Sequence, residues 1–394
     1  MGLVLTALVW VNPNRFTSID SGYYLQAAES LLAGRGYVVR EDGRWVWNGT
    51  FPLGYPALIA GLSWLTGLPV LLASKLVNWL AIGLSAYGWA RRLGTGRAIW
   101  LLSIWALGGF LRIAAYTWSE TVFLVLLGEW AWQLHRFRQA PTAQRALRLT
   151  GLGYALFLTR YVGGVVGAVP GVLVLAGLVR RATNEPLLQP SALRQLAVST
   201  FLQGLGMFLY FGLNRCQSPS PFGGDRFLPT EPAAELLGLF GRALLNEALL
   251  IRDFIPGEAN GLAWLGAGGQ LLWLAVLSRR LRRLPRFPAS QPCFSVRYVL
   301  LLTALTYGLT LFALRAVSPF AGPNGRLMAP FTYCLLTAAL VWLSEPARAT
   351  WSRALRPYWL ALLLASWLQL LPQVNLAKRL APVWAQVRAS PSTP

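Results

Sequence analysis

Long apolar segments that alternate with short arginine-rich segments constrain the fold of this chain more than any other feature. Many of the apolar segments approach the length that crosses a bilayer as a helix, about 20 residues. The basic clusters between them are ARRLGTGR (90–97), HRFRQAPTAQRALR (135–148), VRRATNEP (179–186), SRRLRRLPR (278–286) and SEPARATWSRALR (344–356). This pattern is typical of helical membrane proteins whose basic loops face the cytoplasm.

The composition supports a membrane location. Hydrophobic residues make up 55% of the 394 residues and charged residues only 12%, against about 25% in soluble domains. The net charge of +21 would indicate nucleic acid in a soluble protein. Here the basic residues lie in short loops beside the membrane, where they face anionic lipid headgroups. We therefore expect membrane lipids as partners and no nucleic acid.

The sequence predicts an all-α polytopic membrane protein, a single domain over residues 1–394 with about 11 transmembrane helices. The basic clusters must share one side of the membrane, so an even number of crossings separates them. The expected helices lie at about 2–11, 70–90, 98–112, 119–134, 149–159, 161–178, 194–213, 262–278, 297–315, 326–343 and 357–371. The first is shorter than a full span, so we expect either a short tilted helix or a start further upstream.

Two large loops are expected on the non-cytoplasmic side, at 12–69 and 214–261. The first contains SIDSGYYLQAAESLLAGRGY (18–37), whose apolar residues recur at helical spacing and predict an amphipathic helix lying on the membrane. A hairpin around Asp42-Gly43 and a second interfacial helix within 51–69 should follow. The loop 214–261 should contain another amphipathic helix, whose leucine and phenylalanine side chains rest on the bilayer.

The scarcity of acidic residues allows each of the fourteen to be placed. Three are expected at or in the membrane: Asp20, Glu120 and Glu129. Ionisable groups at that depth are costly and are usually functional. The topology puts Asp20 and Glu120 on the same outer side, whereas Glu129 lies deeper on another face and is interpreted as structural. Asp20 and Glu120 are therefore the candidate catalytic residues.

Four basic residues are expected near the same outer boundary: Lys75, Arg112, Arg160 and Arg326. Cations at the level of the lipid headgroups are suited to hold a phosphate. A carboxylate beside them can take a proton from an incoming hydroxyl or amine. This combination indicates group transfer from a lipid-linked phosphate.

Other common chemistries find little support in the sequence. The single histidine, His135, lies in a basic loop, so no Ser–His–Asp arrangement is available. Cys216, Cys293 and Cys334 are scattered without the spacing of metal ligands or of a disulfide framework.

Several segments, in order along the chain, resemble the C-type membrane glycosyltransferases (GT-C fold), including the protein O-mannosyltransferases and the lipid A aminoarabinose transferases. SIDSGYYLQAAESLLAGRGY followed by FPLGYPALIAGL is similar to the first outer loop of that family. WSETVFLVLL (118–127), LTRYVGG (158–164), NRCQSPSPFGGDRFLPT (214–230) and GPNGRLMAPF (322–331) resemble later family segments. The resemblance extends from about residue 15 to 345.

The resemblance implies an inverting transfer from a polyprenyl-phosphate sugar donor to a glycan, lipid or protein acceptor at the outer face of the cell membrane. Asp20 aligns with the carboxylate that acts as general base. Lys75, Arg112, Arg160 and Arg326 are the candidate ligands of the donor phosphate. Tyr24, Tyr55 and Asn78 are further candidates for substrate binding.

The chain departs from the family pattern in the first loop. Many relatives carry paired acids there, whereas Ser21 follows Asp20 in this chain. Two adjacent carboxylates would suit a divalent metal. We therefore predict no metal ligands and no certain cofactor, although the sequence leaves metal dependence open.

A transporter or a flippase of lipid-linked sugars is the alternative from another functional class. Its signature would be inverted repeats with broken helices at corresponding positions, and the sequence shows none. A catalytically inactive relative that only binds lipid is a third possibility.

Overall fold

A computed structural model describes residues 2–182, 189–222, 232–249, 261–283, 295–317 and 324–370. Helix dominates these segments, and the one sheet found in them is a two-stranded hairpin. The α-helices of the described segments, named α1 to α15 in chain order, are Gly2–Val11, Ile19–Leu32, Gly54–Thr66, Val70–Leu93, Thr95–Leu102, Gly108–Ala115, Glu120–Gln139, Ala143–Thr159, Ala168–Ala182, Pro190–Gln217, Ala233–Ala248, Gly261–Leu281, Val296–Val317, Gly325–Leu343 and Ala349–Ser366.

The all-α polytopic membrane fold predicted from the sequence is confirmed. Within the described segments, five helical stretches are long and apolar enough to cross a membrane, and a bent pair would make a sixth. The five are Val70–Leu93, Tyr161–Val179, Pro190–Gln217, Val296–Val317 and Gly325–Leu343. The count of 11 spans stays a prediction.

The segment predicted as one span at 98–112 is instead broken. Thr95–Ala106 and Gly108–Ala115 meet at an angle of 73°, because the backbone of Leu107 is extended (φ −66°, ψ 138°). The Gly108 amide donates a 2.8 Å hydrogen bond to Ser366 Oγ. A Cβ atom on Gly108 would overlap the carbonyl group of Ser366, so this close approach requires glycine.

The predicted elements of the first loop are confirmed. The helix α2 is followed by strands β1 (Val38–Glu41) and β2 (Arg44–Trp47), which pair antiparallel. Positive φ angles at Asp42 (47°) and Gly43 (81°) give the tight turn that joins two twisted strands. The helix predicted within 51–69 is α3.

The apolar face of α2 packs on protein. The rings of Tyr24 and Tyr55 meet edge to face with their centres 5.1 Å apart, and Ala28 is also fully buried. Glu29 lies on the exposed face of α2.

A core of aromatic and aliphatic side chains holds α4, α7, α13 and α14 together. Trp105, Phe123, Trp130 and Tyr333 are among its largest fully buried members. Pairing of α13 with α14, and of both with α7, brings the starts of α7 and α14 to one end of the bundle. This end carries the charged residues described below.

The predicted amphipathic helix of the second loop is α11, and part of its apolar face is covered by protein. Phe240 is 8% exposed and packs on Phe312 with ring centres 5.0 Å apart. The expectation that Phe240 rests on the bilayer is therefore wrong, because α13 covers it; Leu237 is 61% exposed. Residues 223–231 and 250–260 of this loop lie outside the described segments.

Candidate active site

Asp20 lies in the first turn of α2 and is not required as its cap. Ser18 is the N-cap: its Oγ accepts from the Ser21 amide at 3.4 Å, and Ser21 Oγ accepts from the Ser18 amide at 3.0 Å. This reciprocal pair satisfies the first amides of the helix. The Asp20 side chain, 32% exposed, instead forms an ion pair with Arg326.

A hydrogen-bonded chain of small side chains fixes the start of α2 against two other elements. Ser21 Oγ donates to the carbonyl of Thr117 at 2.9 Å, and the hydroxyls of Thr117 and Ser74 are 2.8 Å apart. These contacts connect α2 to the segment before α7 and to the first turn of α4. The position of Asp20 is therefore determined by buried contacts on its neighbours.

Glu120 is the first residue of α7, and its side chain is completely buried. A carboxylate is favourable at this position because the amino end of a helix carries partial positive charge. Its Oε1 atom pairs with both Arg160 and Arg326. Its Oε2 atom has no hydrogen-bond partner among the described residues.

Arg160 occupies the break between α8 and the following 3-10 turn. The expected pair of short helices meeting here is confirmed, with an extended backbone at Arg160 (φ −153°, ψ 134°). The Gly163 amide donates to the Arg160 carbonyl at 2.7 Å, and a Cβ on Gly163 would overlap the carbonyl of Leu156. The tight turn directs the Arg160 side chain, 14% exposed, onto Glu120.

Arg326 is the second residue of α14, whose start is capped by Asn324. Asn324 Oδ1 accepts from the amides of Arg326 and Leu327, both at 3.1 Å. The Arg326 guanidinium pairs through Nε with Glu120 and through a terminal nitrogen with Asp20. Arg326 thus joins the two candidate catalytic carboxylates.

The ring of Trp118 stacks against the Arg326 guanidinium. Its ring centre lies 4.4 Å from the central carbon of Arg326, a cation–π contact. Tyr116 stacks on Trp118 at 3.8 Å with an angle of 6° between the rings, and so occupies the other face. The Trp118 indole also donates to Ser18 Oγ at 2.7 Å.

Asp20, Glu120, Arg160 and Arg326 therefore form one connected cluster with two negative and two positive charges. Its two carboxylates and two guanidiniums come from four separate parts of the chain and meet through ion pairs. Guanidinium groups bind phosphate oxygens, and a partly exposed carboxylate accepts protons. The arrangement has the groups needed for transfer from a phosphate.

Lys75, a candidate phosphate ligand, is placed differently. Its ammonium group donates to the backbone carbonyls of Ala115 at 2.7 Å and Phe16 at 3.1 Å, and the residue is 6% exposed. These bonds connect α4 to the segment that leads into α2 and to the last residue of α6. Lys75 is therefore adjacent to the cluster as a support, and no contact with its four members is found.

Arg112 is not brought into the cluster. Its side chain is exposed, and its guanidinium carbon lies 6.0 Å from the ring centre of Tyr116. The partners of Glu120 are Arg160 and Arg326 instead. The physical reason is that Arg112 lies on the exposed face of the short α6, whereas the turn after α8 brings Arg160 to Glu120.

The three residues considered for substrate binding are buried and bonded to protein. Tyr24 and Ser119 hydroxyls are 3.1 Å apart, and burial raises the pKa of Tyr24 to about 12. The Tyr55 hydroxyl donates to Asn78 Oδ1 at 3.2 Å. Asn78 in turn donates to the carbonyls of Ala114 and Tyr116. In this structure, Tyr24, Tyr55 and Asn78 therefore connect the elements that surround the cluster.

Sequence reasoning did not select Trp118 as a site residue. Its position two residues before Glu120, in the motif WSE, was the available signal. Glu129, interpreted as structural, pairs with Arg92 and accepts from Gln133 at 2.8 Å. Among the described residues, no group of three or more histidine, cysteine, aspartate or glutamate side chains is placed to hold a metal ion.

The fold is similar to that of solved GT-C membrane glycosyltransferases, as the resemblance of segments along residues 15–345 predicted. Solved structures with this fold that are similar to the chain include two of ArnT from Cupriavidus metallidurans, a lipid A aminoarabinose transferase. The apo structure has a TM-score of 0.53 at 16% identity, covering 90% of this chain and 61% of ArnT.

The second ArnT structure, bound to undecaprenyl phosphate, has a TM-score of 0.51 at 17% identity and covers 91% of this chain. The chain spans 62% of the length of that protein. No family model and no curated protein sequence matches the chain. At 16% and 17% sequence identity, the similarity to ArnT is a similarity of fold.

Proposed function

We propose that this protein is a membrane glycosyltransferase that moves a sugar from a polyprenyl-phosphate donor to a glycan, lipid or protein acceptor at the outer face of the cell membrane. The observation that carries the proposal is the connection of Asp20 and Glu120 through Arg326 at one end of the helix bundle. The fold shared with ArnT, which was crystallised with undecaprenyl phosphate, supports the same donor class.

Asp20 acts in this proposal as the general base. Its carboxylate is the more exposed of the two acids, at 32% against 0% for Glu120, so only Asp20 is accessible to an acceptor. The acceptor oxygen or nitrogen attacks C1 of the sugar from the side opposite the phosphate, and its proton passes to Asp20. The bond between C1 and the phosphate oxygen breaks, and the configuration at C1 is inverted.

Arg160 and Arg326 stabilise the leaving phosphate. A phosphate is a good leaving group, so charge stabilisation contributes more than a general acid would. Glu120 holds both guanidiniums in place from a fully buried position. Lys75 and Arg112 are not assigned to the phosphate, because Lys75 binds backbone carbonyls and Arg112 lies outside the cluster.

The experiment uses purified full-length protein in vesicles with a radiolabelled polyprenyl-phosphate sugar. Wild type should convert the donor to polyprenyl phosphate with transfer or hydrolysis of the sugar. Asp20→Asn should reduce turnover by a factor of about 10² to 10⁴, the usual contribution of a general base. Glu29→Gln, which removes a carboxylate from the exposed face of the same helix, is the matched control and should keep full activity.

Two results would contradict the proposal. Wild-type turnover by Asp20→Asn would remove Asp20 as the base. Movement of intact labelled donor across the vesicle membrane without any covalent change would favour the transporter or flippase.

A further inference from the structure

We propose that Arg326 is an exchangeable counter-ion, which leaves Asp20 for the phosphate as the reaction proceeds, so that the free base and the bound phosphate are coupled. This inference rests on the proposed function and deepens it. It concerns the order in which the Arg326 guanidinium pairs with Asp20 and with the phosphate.

The two contacts of Arg326 differ in burial. Its Nε atom pairs with Glu120, whose side chain is fully buried and which also holds Arg160. Its terminal nitrogen pairs with Asp20, whose side chain is 32% exposed. The Glu120 end is thus a fixed anchor, and the Asp20 end faces the region that substrates can reach.

The stacking of Arg326 on Trp118 allows such an exchange. The guanidinium lies over the indole with its central carbon 4.4 Å from the ring centre, and Trp118 is itself held by Tyr116 and Ser18. Stacking restrains the plane of the guanidinium without using its hydrogen-bond donors. A rotation about the Glu120 contact exchanges one anion for another while the stack is kept.

The charge balance of the reaction matches this exchange. The cluster is neutral with Asp20 and Glu120 ionised and the two arginines protonated. In the donor the phosphate is a diester with one negative charge; as the bond to C1 breaks, it becomes a monoester with up to two, because the second pKa of such phosphates is about 6. The acceptor proton neutralises Asp20 in the same step, so one negative charge passes from Asp20 to the phosphate.

A carboxylate held by a guanidinium competes with phosphate for the same donors. Donor binding therefore releases Asp20 for proton transfer, and protonated Asp20 leaves Arg326 to the product. When no donor is bound, Asp20 stays paired with Arg326.

The test measures equilibrium binding of radiolabelled polyprenyl phosphate to the purified protein in detergent. No turnover occurs, because this probe carries no sugar. Asp20→Asn should bind about fivefold more tightly than wild type, the ratio that corresponds to roughly 1 kcal/mol of lost competition. In an Arg326→Gln background, where affinity should already be reduced, adding Asp20→Asn should change it less than twofold. Polyprenol without the phosphate should bind all four forms equally.

The outcomes separate the two proposals. Equal or weaker binding of polyprenyl phosphate by Asp20→Asn, with binding by wild type retained, would overturn the exchange and leave the proposed donor class standing. A tightening that persists in the Arg326→Gln background would also overturn the exchange, since Arg326 would not carry it. If neither wild type nor Asp20→Asn bound polyprenyl phosphate, the donor class itself would be wrong.

Discussion

The Arg326 guanidinium lies on the face of Trp118 opposite the stacked ring of Tyr116, at 4.4 Å from the indole centre. Two aromatic rings and one guanidinium therefore form a single stack beside the two carboxylates. The Trp118 indole is also hydrogen-bonded to the cap residue of the helix that carries Asp20. The stack connects the position of the cation to that of the proposed base.

Replacing Trp118 should weaken phosphate binding through Arg326. Cation–π contacts of this kind contribute about 0.5 to 2 kcal/mol. Trp118→Leu should therefore reduce the affinity for polyprenyl phosphate about two- to thirtyfold, whereas Trp118→Phe, which keeps an aromatic face, should lose less. Equal affinities for wild type and both variants in the same binding assay would show that the stack does not position Arg326.

Glu120→Gln should destabilise the protein strongly. The change leaves the guanidiniums of Arg160 and Arg326 without their shared, fully buried carboxylate. Removing one partner of a buried ion pair typically costs about 3 to 5 kcal/mol. Thermal unfolding in detergent should show a lowered midpoint. Glu29→Gln, the same chemical change at an exposed position, should leave the midpoint unchanged.

Lys75→Met should reduce stability and have little effect on phosphate affinity. The variant keeps the apolar part of the side chain as far as Cε and removes the hydrogen bonds to the carbonyls of Ala115 and Phe16. The Phe16 carbonyl still accepts from the Thr117 amide at 3.1 Å, whereas the Ala115 carbonyl loses its side-chain donor. A buried carbonyl left without a donor costs about 1 to 3 kcal/mol. A folded Lys75→Met protein with normal thermal stability and a tenfold loss of polyprenyl phosphate affinity would restore Lys75 as a phosphate ligand.

Arg112 and Arg160 should respond differently to the same substitution. Arg160→Gln removes a buried partner of Glu120 and should lower both stability and phosphate affinity. Arg112→Gln changes an exposed side chain outside the cluster and should leave phosphate affinity within about twofold. Parallel binding measurements on the two variants check this contrast, and a comparable loss in both would place Arg112 at the phosphate.

Local sequence patterns predicted the elements around the site well. The helix predicted within 18–37 is α2, Asp42-Gly43 forms the hairpin turn, and Arg160 falls at the break between two helices. Each of these depends on the conformational preference of a few neighbouring residues, which the sequence states directly. The break at Leu107 could not be predicted in this way, because it depends on contact of Gly108 with Ser366, 258 residues away.

The same distinction applies to the charged residues. The scarcity of acids and the spacing of the basic loops were sufficient to select Asp20, Glu120, Arg160 and Arg326, since an ionised group near the membrane is too costly to be incidental. Hydropathy and spacing could not distinguish these from Lys75 and Arg112, which occur in equally apolar surroundings. The groups that each cation contacts determine whether it joins the cluster, and those groups are distant in sequence.

By itself, the sequence determined that this chain is a helical membrane protein with carboxylates and cations at specified places along it, because length, apolarity and charge act locally. The tertiary structure alone decided that Arg326 joins Asp20 to Glu120, that Lys75 binds backbone carbonyls and that Arg112 stays outside. Ion pairs form between groups that the packing of α2, α7 and α14 brings within a few ångströms, and that packing depends on the whole bundle.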